Sequence, residues 1–239
     1  MAKVIAFFGG DSQTGTTSVA ASVCEALSQK GFKVLFILAS CEGADEQFPS
    51  KQADLGTLLR ISRVIREDIE SCTVKGKSFD FIPGPSDLLK KQFFEPALIS
   101  RIAALCGGSY DFIICDAGRD VTLPLPVSCL AAADRRFYVL TGNAKCVSRF
   151  SETLSVLRGL RLDETRDMLI LNKALAAPSL YTLGDLAKTF GMKGLSLVRF
   201  ENPELYEFNR APVFGRDAGF TRGIGFIADE IAAESGKAK

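Results

Sequence analysis

The sequence predicts a doubly wound α/β protein, a mostly parallel sheet of about seven or eight strands with helices on both faces. Three observations carry this. Short continuous apolar runs, such as KVIAFF at 3–8, KVLFIL at 33–38 and YDFIICD at 110–116, have the look of strands buried on both faces. Longer segments with helical apolar spacing separate them, as right-handed crossovers between parallel strands require. No internal repeat, low-complexity tract or linker breaks the alternation, so one domain over residues 1–239 is expected.

The elements follow in order. The first strand, 3–8, ends at Gly9 and Gly10. Val19, Val23, Ala26 and Leu27 give a helix over 17–29, closed by Gly31. The second strand is 33–38. Residues 42–53 are polar and contain Pro49, which predicts a loop. Leu55, Leu58, Leu59, Ile61, Val64 and Ile65 predict one helix. FDFIPGP (79–85) is a short strand ended by prolines, and 98–105 is a helix ended by Gly107 and Gly108. After the central strand at 110–116 come strands at 135–141 and 167–172, with a helix near 146–159 between them. A last strand is expected at 195–200, with helices near 203–209 and 219–235.

Composition narrows the function. Hydrophobic residues make up 47% and charged residues 24%, a globular balance. The net charge of +1 lacks the field of a dedicated nucleic-acid binder. Lys75/Lys77 and Lys90/Lys91 are the only small basic clusters outside the arginines. The seven cysteines contain no CxxC pair and sit mostly in apolar runs, so they read as small core residues. There is no histidine, which excludes Ser-His-Asp and histidine-zinc hydrolysis. MAKVIAFF runs straight into a strand, and no apolar stretch reaches the roughly 18 residues of a membrane span, so a cytoplasmic protein is expected.

The chemistry concentrates in the loop after the first strand: Gly9, Gly10, Asp11, Ser12, Gln13, Thr14, Gly15, Thr16, Thr17, Ser18. A glycine-rich loop leaving a parallel strand and opening a helix lets backbone N–H groups converge on an anion. A hydroxyl at the helix start can ligate Mg²⁺. The usual Gly-Lys-Ser/Thr ending is here Gly15-Thr16-Thr17, so the charge that neutralises phosphate is missing.

From Lys3 to Leu38 the chain resembles the opening of ParA/MinD ATPases, with their deviant Walker A of the form KGGxGK[ST]T, an Ala-rich helix, then KG-x-K-V and a strand. The resemblance implies that Gly10, Asp11, Ser12, Gln13, Thr14, Gly15, Thr16, Thr17 and Ser18 line the phosphates of ATP with Mg²⁺. It places Asp11 on the signature lysine, Thr16 on the P-loop lysine and Thr17 on the metal-binding hydroxyl. YDFIICDAG resembles the Walker B strand, which implies that Asp116 holds Mg²⁺ through water. LILNKA (169–174) places Asn172 at the adenine edge, and FNRAPVFG (208–215) places Pro212 near the base. The family's Asp-x-Asp after the second strand falls on Leu38 and Ser40, so its carboxylates are missing. Within the family, KVLFILAS, DLGTLL and DFIPGPSDLL look like the degenerate branch of TadZ/CpaE pilus-localisation proteins. That branch often carries a receiver-like domain first, which is not expected here.

The resemblance implies an ATP-responsive, homodimeric positioning or recruitment factor for a protein partner in a membrane-associated, pilus or secretion machine. With Thr16, Asp11 and Leu38 in those three slots, it assigns no catalytic residue and predicts very slow or undetectable hydrolysis. Arg119, which follows Asp116 closely, is a candidate substitute cation. The alternatives are a scaffold of the same fold that binds no nucleotide and a ParA-like DNA-segregation ATPase, for which the sequence lacks a basic face. The C-terminal FIADEIAAESGKAK carries Asp229, Glu230 and Glu234, the wrong sign for anionic lipid, so direct membrane binding is not expected.

Overall fold

The computed structural model describes residues 2–40, 48, 53–59, 63–86, 93–160, 162, 166–173, 180–197, 215 and 217–235. Seven strands form one sheet: β1 Lys3–Gly9, β2 Val34–Leu38, β3 Asp80–Ile82, β4 Phe112–Asp116, β5 Arg135–Leu140, β6 Met168–Leu171 and β7 Lys193–Leu197. Their spatial order is β3-β2-β4-β1-β5-β6-β7, and every neighbouring pair is parallel. Among the described residues eight helices accompany them: α1 Thr16–Gln29, α2 Leu55–Leu58, α3 Arg66–Cys72, α4 Leu98–Cys106, α5 Pro124–Ala132, α6 Ala144–Gly159, α7 Leu183–Phe190 and α8 Ala218–Ala233.

Strand alternation divides the core in two. Val4, Ala6 and Phe8 of β1 face one apolar cluster, which takes in residues of α2 to α7. Ile5 and Phe7 face the other, where α1 and α8 lie. Central strands therefore need apolar residues at every position, and β2 and β4 are buried throughout. The Phe7 and Phe137 rings stack across β1 and β5 at 5.1 Å.

Several local expectations are corrected. The single helix over 55–65 is instead α2 and, starting only at Arg66, α3. Ile65 is extended (φ −115°, ψ 176°), and its N–H donates to Asp68 Oδ2 at 2.9 Å, which starts a new helix. α5 was hidden by its two prolines, although Pro124 sits at the helix start, where no N–H is needed. α7 is entered by a capping box between Thr182 and Asp185 and leaves through Gly191 at φ 68°. β7 begins two residues before the expected 195; the expected 198–200, the helix near 203–209 and Pro212 lie outside the described residues.

The last helix packs on the sheet through Phe220, Ile224, Ile227 and Ile231. Its acidic side chains are spent on the body: Asp229 pairs with Lys30 at 2.7 Å, and Glu234 and Glu230 pair with Arg135 at 2.6 and 3.4 Å. Among the described residues no helix is long and apolar enough to cross a membrane.

Below β5 and β6 lies a buried ion pair. Arg136 Nη1 meets Asp167 Oδ1 at 3.0 Å, Tyr138 donates to Asp167 Oδ2 at 3.0 Å, and Arg136 Nε donates to the Leu130 carbonyl at 2.8 Å. Burial raises the Asp167 carboxyl, and the Arg136 charge and the Tyr138 hydroxyl oppose that. Removing one partner leaves an uncompensated buried charge, so Asp167→Ala is expected to lower stability by about 3–5 kcal/mol. Urea denaturation followed by circular dichroism measures it; a loss below about 1 kcal/mol contradicts the burial argument.

Candidate functional site

The carboxyl ends of β1, β2, β4, β5 and β6 converge on one edge, where β1 lies between β4 and β5. The topology reverses there, leaving a crevice. The loop from Gly10 to Gly15 fills that edge. The Gly9 N–H donates to the Gly118 carbonyl at 2.7 Å and the Gly10 N–H to the Val139 carbonyl at 3.0 Å, so the loop starts pinned between the ends of β4 and β5. A Cβ on Gly10 would lie 2.2 Å from Leu140 Cδ2 and 3.1 Å from Cys146 Sγ, which shows how tightly α6 packs here. Gly15 has φ 85° and caps α1. Gln13, though not glycine, also sits in the left-handed region at φ 58°.

Two side chains at the end of β6 hold this curl. Asn172 Nδ2 donates to the Thr14 carbonyl at 2.7 Å, and Lys173 Nζ donates to the Gln13 carbonyl. Half-burial lowers the Lys173 pKa. Trans peptide planarity then turns the N–H groups of Thr14 and Gly15 the opposite way. Asn172 is buried, and among the described residues its Oδ1 has no hydrogen-bond partner. A buried amide oxygen left without a donor costs about 1–3 kcal/mol, which a ligand N–H would recover.

The metal-side residues also meet. Asp116, fully buried at the end of β4, accepts from Thr17 Oγ1 at 2.6 Å, Ser40 Oγ at 2.6 Å and the Gly118 N–H at 3.1 Å. Thr17 opens α1 and Ser40 follows β2, so three elements meet at one carboxylate. The donor set is all oxygen, which suits a hard cation such as Mg²⁺. Among the described residues no group of three His, Cys, Asp or Glu gathers, here or elsewhere, so the one carboxylate is joined as a ligand by hydroxyls alone. Leu38 pairs with Asp116 across β2 and β4 and lies wholly in the core.

In the two slots that the resemblance aligns with lysines, the loop is negative at Asp11 and neutral at Thr16. Thr16 is buried and its Oγ1 lies 2.9 Å from Thr14 Oγ1. Asp11 is turned onto α6, where its carboxylate meets Arg149, with Lys145 Nζ at 3.9 Å. Burial pushes the Asp11 carboxyl up, but the Ser12 N–H and the Arg149 and Lys145 charges outweigh it and hold the carboxyl low. Ser12 donates that bond at 2.7 Å.

Other candidates stay apart. Arg119 is exposed on the same edge, beyond Asp116. Arg135 and Arg136 open β5 at the opposite edge, tied to α8 and Asp167. Lys75 sits at the amino end of β3, where it meets Asp80 at 2.6 Å. Sequence reasoning missed Arg149, Lys145 and Lys173. The first two are i and i+4 on α6, some 138 and 134 residues beyond Asp11, so nothing local signals the contact. Lys173 could have been noticed as the residue after Asn172.

A seven-stranded parallel sheet with helices on both faces and a glycine-rich loop at its switch point is the fold of P-loop NTPases of the ParA/MinD kind. The chain matches a ParA family ATPase from Chlorobium tepidum TLS with a TM-score of 0.81 at 21% identity, over 95% of this chain and 99% of that one. A chain of the MinC:MinD cell division protein complex of Aquifex aeolicus matches with a TM-score of 0.76 at 21% identity, over 100% and 99%. The septum site-determining protein MinD of Pyrococcus horikoshii OT3, complexed with Mg-ADP, matches with a TM-score of 0.72 at 19% identity, over 100% of both chains. No protein-family model and no curated protein matches the sequence.

Gly15 is the loop glycine where a side chain meets both a left-handed backbone and a close neighbour. In Gly15→Ala the left-handed φ costs about 1–2 kcal/mol, and the new Cβ would lie 2.5 Å from Asn172 Nδ2. The expected result is a drop in the unfolding midpoint together with faster amide exchange across 10–17 in hydrogen-exchange mass spectrometry. Unchanged exchange there would mean that Asn172 does not hold the loop.

Proposed function

We propose that this chain binds ATP with Mg²⁺ at the Gly10–Ser18 loop and uses the bound state, as a homodimer, to position or recruit a protein partner. The single observation that supports this best is the contact of Thr17 with Asp116 at 2.6 Å, the hydroxyl that opens α1 on the carboxylate that ends β4. Thr17 would hold Mg²⁺ by its hydroxyl and Asp116 through water, and the ion would supply charge to the phosphates when bound. Gly15 would allow close approach of the phosphates, and the N–H groups of the loop and the start of α1 would bind them. The unpartnered Asn172 Oδ1 would accept the exocyclic amine of adenine. Pro212 is proposed from the resemblance alone.

Binding and turnover separate here. A charge-assisted contact to phosphate is worth about 1.5–3 kcal/mol, so losing the lysine weakens binding without abolishing it. Hydrolysis needs charge aimed at what develops in the transition state, and each lost stabiliser costs about 10²- to 10³-fold. Thr16, Asp11 and Leu38 occupy the three slots concerned, so the chain is proposed as a binding switch with very slow or no hydrolysis. The MinC:MinD complex among its structural neighbours supports a partner protein on this fold. The TadZ/CpaE-like segments point to pilus or secretion machinery as the setting.

Thr17→Ala is expected to abolish Mg²⁺-dependent ATP binding in calorimetry; binding that persists unchanged removes Thr17 from the metal site. Steady-state phosphate release by the purified protein is expected to stay near background with and without a candidate partner. Ready turnover that disappears in Asp116→Asn would overturn the reading as a non-hydrolysing switch.

A further inference from the structure

We propose that Arg149, seconded by Lys145, is the cation that serves a phosphate held by the loop, and that Asp11 competes with that phosphate for it. The inference rests on the nucleotide-binding reading above.

The loop supplies no positive charge of its own, yet two cations are brought to it from α6. Arg149 meets the Asp11 carboxylate and Lys145 lies one helical turn before it on the same face. Their seat is fixed: α6 packs so closely that a Cβ on Gly10 would stand 3.1 Å from Cys146 Sγ and 3.3 Å from Phe150 Cβ. Asp11 is the only partner of Arg149 among the described residues, and the arginine side chain is 47% exposed. A guanidinium carries five N–H donors in a planar fork, so most of them are unspent. One carboxylate against two cations leaves the group at net +1.

The contacts from the end of β6 point to a ligand independently. Among the described residues Asn172 Oδ1, buried beside the loop, has no donor, and the N–H groups of Thr14 and Gly15 have no acceptor. A guanidinium held on Asp11, a few residues along the same loop, is suited to bidentate contact with a phosphate bound there. Asp11 then has a definite effect. It holds Arg149 at the loop when no phosphate is present and opposes phosphate binding by its own charge and by occupying the arginine.

This makes two variants of one ion pair differ in sign. ATP·Mg²⁺ and, as a phosphate-free probe, adenosine are titrated by calorimetry into the wild type, Arg149→Ala, Arg149→Lys and Asp11→Asn. Arg149→Ala is expected to weaken ATP binding about tenfold, Arg149→Lys to recover part of it, and Asp11→Asn to tighten ATP several-fold. Adenosine affinity should not move. If the pair only braces the loop, breaking it from either side weakens ATP alike; that result, or Arg149→Ala within about twofold of the wild type, overturns the inference while the nucleotide reading stands. A wild type that binds no ATP overturns both. Should Arg149→Ala fail to fold, Arg149→Lys and the sign of the Asp11→Asn effect decide.

Discussion

The Asp116 carboxylate has no access to water, and the surrounding architecture is arranged to satisfy it. A charge in that position is tolerable only if hydrogen bonds replace its hydration. The chain brings three donors from three places: Thr17 from the start of α1, Ser40 from beyond β2 and the Gly118 N–H from the turn that follows. Meeting that demand fixes where α1 begins relative to β2 and β4. It also fixes how the loop between β1 and α1 must curl. The N–H groups of Ala39 and Ser40, both 3.0 Å from the Asp116 carbonyl, tie down the backbone around the same residue.

The loop is held from two further sides. The end of β6 takes the carbonyls of Gln13 and Thr14 through Lys173 and Asn172. The first turns of α6 take Asp11 through Arg149 and Lys145. A phosphate loop with its lysine can rely on ligand charge to order it. This loop is braced by hydroxyl, amide and ion-pair contacts within the protein, including the Thr14–Thr16 hydroxyl pair at 2.9 Å. The hydroxyl and amide contacts fit a backbone that keeps its curl whether or not phosphate is present, while the Asp11–Arg149 pair is the contact that phosphate would exchange.

The framework below the site explains why those braces are rigid. Central strands buried on both faces leave two apolar layers, with α1 and α8 on one side and the remaining helices on the other. The polar exceptions are paired: Arg136 with Asp167, and Arg135 with the acidic residues of α8. The acidic side of α8 is thereby neutralised against the body, while its apolar side is core.

Much of this was legible in the sequence, because it depends on local periods and local backbone needs. Continuous apolar runs such as FIICD require burial on both faces, and that alone implies a parallel sheet. Glycines at 9, 10 and 15 mark a backbone that must approach closely or turn left-handed. Thr17, Asp116 and Asn172 are singled out by the resemblance of their segments to ParA/MinD motifs, and all three stand at the loop's edge of the sheet. The division into α2 and α3 was not legible, since Ile65 continues an apolar period while its backbone is extended at a cap. α5 was obscured because proline at a helix start reads as a breaker. The charge of the loop was decided by tertiary structure alone. Read along the chain, Asp11 adds a negative charge to a site short of positive ones. In space it lies against Arg149 and Lys145, more than 130 residues away. Periodicity carries the fold because burial repeats with the backbone; ion pairs between distant elements follow no period and exist only once the sheet has brought its edge together.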